Sequence, residues 1–143
     1  MLIVSPEPGT GWPDGLLACL LGDPWSVRLA GAGTACPALE LYEAGDLLDV
    51  VTATSVARTL LRGARATGSA AGPRAVAWGR VPASGLPPDV RFAGRRAAAQ
   101  PAAVFLPGSW CWIAVADGRC TTVTASTGEE SARRRLDRRR PCC

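Results

Sequence analysis

The chain has 143 residues, 48% of them hydrophobic and 20% charged, with a formal net charge of +4, enough for one ordinary domain around a buried core. It contains no His, and its sixteen basic residues are all arginine. Without imidazole it can form no Ser-His-Asp or Cys-His pair and no HExxH zinc site. Without Lys it has neither a Schiff-base nucleophile nor a phosphate-loop lysine.

The abundance of Ala, Gly, Arg and Pro, beside the absence of Asn, is the bias of a GC-rich bacterial coding sequence, and a spurious reading frame from such DNA would carry it too. The side chains left for catalysis are carboxylates, thiols, hydroxyls and the single Tyr42. A small α/β enzyme using a carboxylate or Cys36 is therefore the alternative to a non-catalytic binding protein. Charge is divided along the chain. Residues 1–57 carry seven acids against Arg28, a net −6, and residues 58–143 carry fifteen arginines against five acids, a net +10. Attraction between the halves would follow from this, and so would a basic surface for an acidic partner. The opening stretch has no basic leader, and no apolar run reaches the roughly 18 residues of a membrane span. A cytoplasmic protein with reduced thiols is expected.

In chain order, "MLIV" has strand character, and the Pro- and Gly-rich stretch after it marks a loop. Asp14 suits the cap of a short helix over "GLLACLLG". "WSVRLAGAGTACPALELY" holds two apolar alternations, Val27 with Leu29 and Leu39 with Leu41, as a hairpin or as a strand feeding a helix. Gly31 and Gly33 match the start of a dinucleotide fingerprint, but Cys36 takes the third position and Pro37 interrupts the helix that should follow, so no cofactor is expected. Two readings stand for residues 46–66: a strand "LLDVVTAT" followed by a helix capped by Ser55, or one helix starting at Asp46. Both place a helix over 56–65. Asp46 and Asp49 share a face only in the second reading, where the helix dipole accounts for them without a metal or acid–base role.

After the linker-like "GSAAGPR", short runs bounded by Gly and Pro ("AVAWGRVP", "DVRFAG", "AAVFLPG") predict a meander or small barrel. In "SWCWIAVADGRCTTVTA", Asp117-Gly118 suits a two-residue turn, giving a hairpin that opposes Val115 to Cys120, Ile113 to Thr122 and Cys111 to Thr124. Trp110 and Trp112 then share a face with Val123, either as core or as a stacking surface for bases or sugars. Cys111 and Cys120 stand too far apart along that ladder for a disulfide, and no CxxC spacing supports zinc.

The expected fold is α+β: a single domain over residues 1–126, mixed α/β over 1–68 and β-rich over 75–126, followed by an arginine-rich tail at 127–143 that is disordered or an exposed helix. "STGEESARRRLDRRRP" offers a capping box, Thr127 with Glu130, and i,i+4 pairs of Glu129 with Arg133 and Glu130 with Arg134, but only Ala132 and Leu136 as an apolar stripe. Arg133, Arg134, Arg135, Arg138, Arg139 and Arg140 suit the tail to phosphates. Cys142 and Cys143 behind a basic run have the form of a prenylation signal, which a bacterial cytoplasm would not use. The expectation is a non-catalytic binding protein, without metal or cofactor, whose tail contacts an acidic partner such as nucleic acid.

Overall fold

A computed structural model describes residues 3–4, 21–31, 35–53, 59–69, 72–95 and 98–138. The described elements are all strands: β1 (Ile3–Val4), β2 (Trp25–Ala30), β3 (Ala38–Glu43), β4 (Asp46–Thr52), β5 (Gly63–Ser69), β6 (Gly72–Arg80), β7 (Asp89–Ala93), β8 (Gln100–Pro101), β9 (Ala103–Gly108), β10 (Cys111–Asp117), β11 (Thr122–Ser126), β12 (Ser131–Arg135) and β13 (Asp137–Arg138). The expected α+β class is therefore corrected to nearly all-β.

The strands form three sheets. A six-stranded sheet runs β1-β9-β10-β6-β5-β13, a four-stranded sheet β12-β11-β7-β8 and a three-stranded sheet β2-β3-β4. The six-stranded sheet is antiparallel through its centre, with β1 and β13 added parallel at its two edges. It is buried on both faces. Ala75, Ala77, Trp112 and Ala114 enter a core shared with Val90, Phe92, Val123 and Ala125 of the four-stranded sheet. Val76, Trp78, Cys111 and Ile113 point the other way, into a core shared with Trp25, Val27, Leu39 and Leu41 of the three-stranded sheet. Successive strand residues face opposite sides, so a strand covered on both sides becomes an unbroken apolar run. "AVAW" and "CWIAV" are such runs.

Two glycines set the depth of these cores. A Cβ on Gly79 would lie 1.9 Å from the Leu60 carbonyl oxygen, the atom that accepts the Trp112 indole N–H at 2.9 Å. A Cβ on Gly63 would lie 2.3 Å from the Trp78 ring, to which Gly63 is paired across the strands. Close approach to the Leu60 carbonyl at Gly79 and to the Trp78 indole at Gly63 requires glycine at both positions.

Three local expectations are corrected. The helix over 56–65 gives way to the start of β5 from Gly63, while residues 54–58 lie outside the described residues. The hairpin around Asp117-Gly118 does not form, because β10 is already flanked by β6 and β9, and β11 pairs with β7 and β12 in the other sheet. Asp117-Gly118 is a crossover between sheets. The two-residue turn is found instead at Ala44-Gly45, both at positive φ (49° and 86°), joining β3 to β4, as a twist-matched hairpin turn requires. Finally, residues 131–135 and 137–138 are strand and not an exposed helix. Thr127 does receive the amides of Glu129 and Glu130 on its hydroxyl, at 3.2 and 3.1 Å, but that bond shapes the turn between β11 and β12. Ala132 packs against the core and Leu136 is buried in it. A spacing of four residues keeps two side chains on one side in either a helix or a strand.

The ambiguous segment at Trp25–Glu43 is a hairpin, with Val27 opposite Leu41 and Leu29 opposite Leu39. The helix expected over "GLLACLLG" lies outside the described residues except for Leu21 and Gly22.

Candidate nucleic-acid interface

The arginines divide into two groups by what they touch. Arg62, Arg65, Arg74 and Arg80, beside the three-stranded sheet, are tied inward, while Arg28 on its β2 strand is exposed. Arg62 grips Asp49 with Nε at 2.6 Å and Nη2 at 3.0 Å. Asp49 also accepts the Trp78 indole N–H at 2.8 Å and the Val50 amide at 2.8 Å. Burial alone would raise the Asp49 carboxyl, but the Arg62 and Trp78 donors outweigh it and hold the group below the usual carboxylate range. Glu43, only 2% exposed, accepts from Trp25 Nε1 at 3.2 Å and from Arg65 Nη2 at 3.0 Å. Arg74 lies over the Trp25 ring at 5.6 Å and bonds Asp117 and the Asp23 carbonyl. Arg80 donates to the Thr52 carbonyl at 3.2 Å. These four guanidiniums serve the packing.

The second group lies on the four-stranded sheet. Val90 and Phe92 of β7 and Val123 and Ala125 of β11 point into the core, so the alternate residues form the outer face. The register places Arg133, Thr124, Arg91 and Pro101 in one row across β12, β11, β7 and β8. The next row is Arg135, Thr122 and Ala93. Strands lie about 4.8 Å apart and alternate residues about 7 Å apart along a strand, so Arg91, Arg133 and Arg135 fall within about 12 Å of one another. Arg133 and Arg135 are exposed and form no ion pair among the described residues. Among the described residues Arg91 pairs with Asp89 alone, at 3.3 Å.

The sheet is also polarised from end to end. Exposed Arg95 follows β7 and exposed Arg119 precedes β11, at the end where Thr121 donates to the Ala93 carbonyl and Leu136 to that of Thr121. Asp89, Glu129 and Glu130 lie at the opposite end, beside the Ser126–Ser131 pair. The basic end carries Arg135, Arg95 and Arg119.

The residues singled out from sequence are separated by the fold. Arg134, on the other side of β12 from Arg133 and Arg135, lines a cleft of about 480 Å³ with Arg62, Arg65, Trp78 and Asp137. Arg138 stands in β13, paired with Ala66 at the edge of the six-stranded sheet. Arg139, Arg140, Cys142 and Cys143 lie outside the described residues. Trp112 is 0% exposed and offers no face to a base. Trp110 is half-buried in the opposite core and donates to the Val51 carbonyl at 3.2 Å, so the two indoles do not share a face. Arg91, Arg95 and Arg119 had no motif to mark them in the sequence. Their grouping follows from strand pairing across more than thirty residues of chain.

The thiols are dispersed. Cys111 is buried, and burial pushes it up to about 12. Cys120 is half-buried and raised for the same reason, while Cys36 is exposed. Cys111 and Cys120 are free thiols. Among the described residues no group of three or more Cys, Asp or Glu is placed to hold a metal ion, and no helix is long and apolar enough to cross a membrane. A second cavity, of about 840 Å³, opens between the loop after β6 and the β11–β12 turn, with Arg80, Val81 and Glu130 on its walls.

Comparisons with family models, with curated proteins and with solved structures gave no match to this chain.

Proposed function

We propose that this chain is a non-catalytic binding protein that holds nucleic acid by its phosphates on the outer face of the four-stranded sheet, through Arg91, Arg133 and Arg135. The observation that carries this reading is the division of the arginines. Arg62, Arg65, Arg74 and Arg80 are occupied by acids, carbonyls or an indole of the protein itself, whereas the guanidiniums of Arg133 and Arg135 face solvent with Thr122 and Thr124 beside them. Guanidinium and hydroxyl donors are the groups that hold phosphate oxygens, and released counterions supply the affinity. Asp49 and Glu43 are consumed by arginine and indole partners, and Cys111 is buried with its thiol raised. These three groups are poorly placed for acid–base or nucleophilic work.

Deleting the tail would test this badly, because β12 is an integral edge strand and Leu136 is core. The test is charge removal at exposed positions. The triple variant R91Q/R133Q/R135Q should keep the dichroism of the parent and lose retention on phosphocellulose at low salt; the dissociation constant expected of the parent for nucleic acid is on the order of 10⁻⁴ to 10⁻⁶ M at physiological salt. Equal retention of parent and variant would overturn the reading.

A further inference from the structure

Resting on that reading, we infer that the nucleic acid this face takes is a duplex, held without regard to base sequence, and not a single strand. The first argument concerns aromatic side chains. Single strands are ordinarily held by bases stacking on exposed aromatic rings, which offset the entropy lost in ordering a flexible chain. Among the described residues, Trp25, Trp78, Trp112, Phe92 and Phe105 are all buried. Trp110 packs against the core on the far side of the six-stranded sheet and gives its N–H to Val51. Tyr42 is in the three-stranded sheet, in the row with Ser26 and Leu47, and its hydroxyl donates to Glu40. No described ring stands on the outer face of the four-stranded sheet.

The second argument concerns what that face does carry. Its rows hold Arg133, Thr124 and Arg91, then Arg135 and Thr122, all donors suited to phosphate oxygens and none placed in a protruding element that could enter a groove. Contacts of this kind position a nucleic acid but read no bases. Duplex DNA presents one charge per about 1.7 Å of axis against about 3.4 Å for each of its strands. It is also rigid before binding, so a small fixed grid of cations meets more phosphates at lower ordering cost. The acidic end at Asp89, Glu129 and Glu130 confines the contact to the rows nearer Arg135, since the screening length is about 8 Å at physiological salt.

The experiment is fluorescence anisotropy of the full chain with a labelled 20-base-pair duplex, a second duplex of shuffled sequence, and one strand of the first, each at several salt concentrations. The expected result is equal affinity for the two duplexes and affinity about fivefold or more weaker for the single strand. The logarithmic salt slope for duplex should be near −3, from about three neutralised phosphates. R135Q should bring that slope down by about one. Equal or tighter binding of the single strand overturns the duplex inference and leaves the proposed function standing. A preference of tenfold between the two duplexes overturns sequence independence. Failure of every probe to bind overturns the proposed function, and the inference with it.

Discussion

On one face of the six-stranded sheet the buried side chains are small, Ala64, Ala66, Ala75, Ala77 and Ala114 around the single indole of Trp112. On the other they are larger, Val76, Trp78, Phe105 and Ile113, and Glu43 of the facing three-stranded sheet is buried alongside Trp25 and Arg65. The alanine side needs no charge to complete it. Its one indole N–H finds a backbone carbonyl, that of Leu60. The other side buries the Glu43 carboxylate and partly buries that of Asp49, and must bring arginines to them, because an unpaired buried charge is costly. The contrast explains where free guanidinium groups can occur. The three-stranded sheet draws Arg62 and Arg65 inward, and the four-stranded sheet leaves Arg133 and Arg135 outside.

The sharpest way to break this contrast is W112A. On the alanine side the Trp112 indole fills the space between two sheets beside Phe92, so its removal should cost about 3–5 kcal/mol in urea unfolding. W110A, at a half-buried ring, should cost well under half of that. Equal losses would show that the two cores depend on their indoles alike.

The next effect in size concerns the buried pair. E43Q keeps the shape of the side chain and its bond to Trp25, but strips Arg65 of its counter-charge. With Arg65 still partly in contact with solvent, 23% exposed, the expected loss is about 2 kcal/mol. The double variant E43Q/R65M should recover part of it, since no unpaired charge remains. If the double variant is less stable than E43Q, the pair is more than charge compensation.

The smallest effect near neutral pH should appear only at the extremes of a pH titration of stability. Asp49 is held below the usual carboxylate range. Its contribution is present above the unfolded value of about 3.9 and lost as pH falls through the lower folded value, so D49N should have a flatter acid limb. Cys111 has the opposite sign. Its thiol, pushed up to about 12 by burial, contributes fully below the unfolded value near 8.5 and loses that contribution as pH rises toward 12, because the unfolded thiol ionises first. C111A should flatten the alkaline limb. Unchanged limbs in both variants would remove the ionisable groups from the contrast between the cores.

Much of the strand content was legible. "MLIV", "AVAWGRVP", "DVRFAG" and "AAVFLPG" overlap strands of the fold, as does "LLDVVTAT" in one of its two readings, because short apolar runs are a local signal. The site was legible only in part. The run "ARRRL" marked Arg133 to Arg135, but read as a helix it scattered them, whereas strand period puts Arg133 and Arg135 on one face and Arg134 on the other. Arg91 could not be joined to them, since only the β7–β11–β12 register brings it into their row. Three consecutive arginines on an edge strand also guard it against pairing with another chain, so substitution by Gln, which keeps a polar edge, is the appropriate test of binding.

The sequence by itself determined which chemistries are present, with arginine as the only basic side chain, and which short apolar runs can form strands. These depend on residue identity and near neighbours alone. Only the tertiary structure decided that β10 leaves β11 for β6 and β9, that Asp49 meets Arg62, and that Arg91 lines up with Arg133. Strand partners are chosen by which faces can be buried together across the whole chain, and an apolar run covered on both sides carries no alternation from which to read that choice.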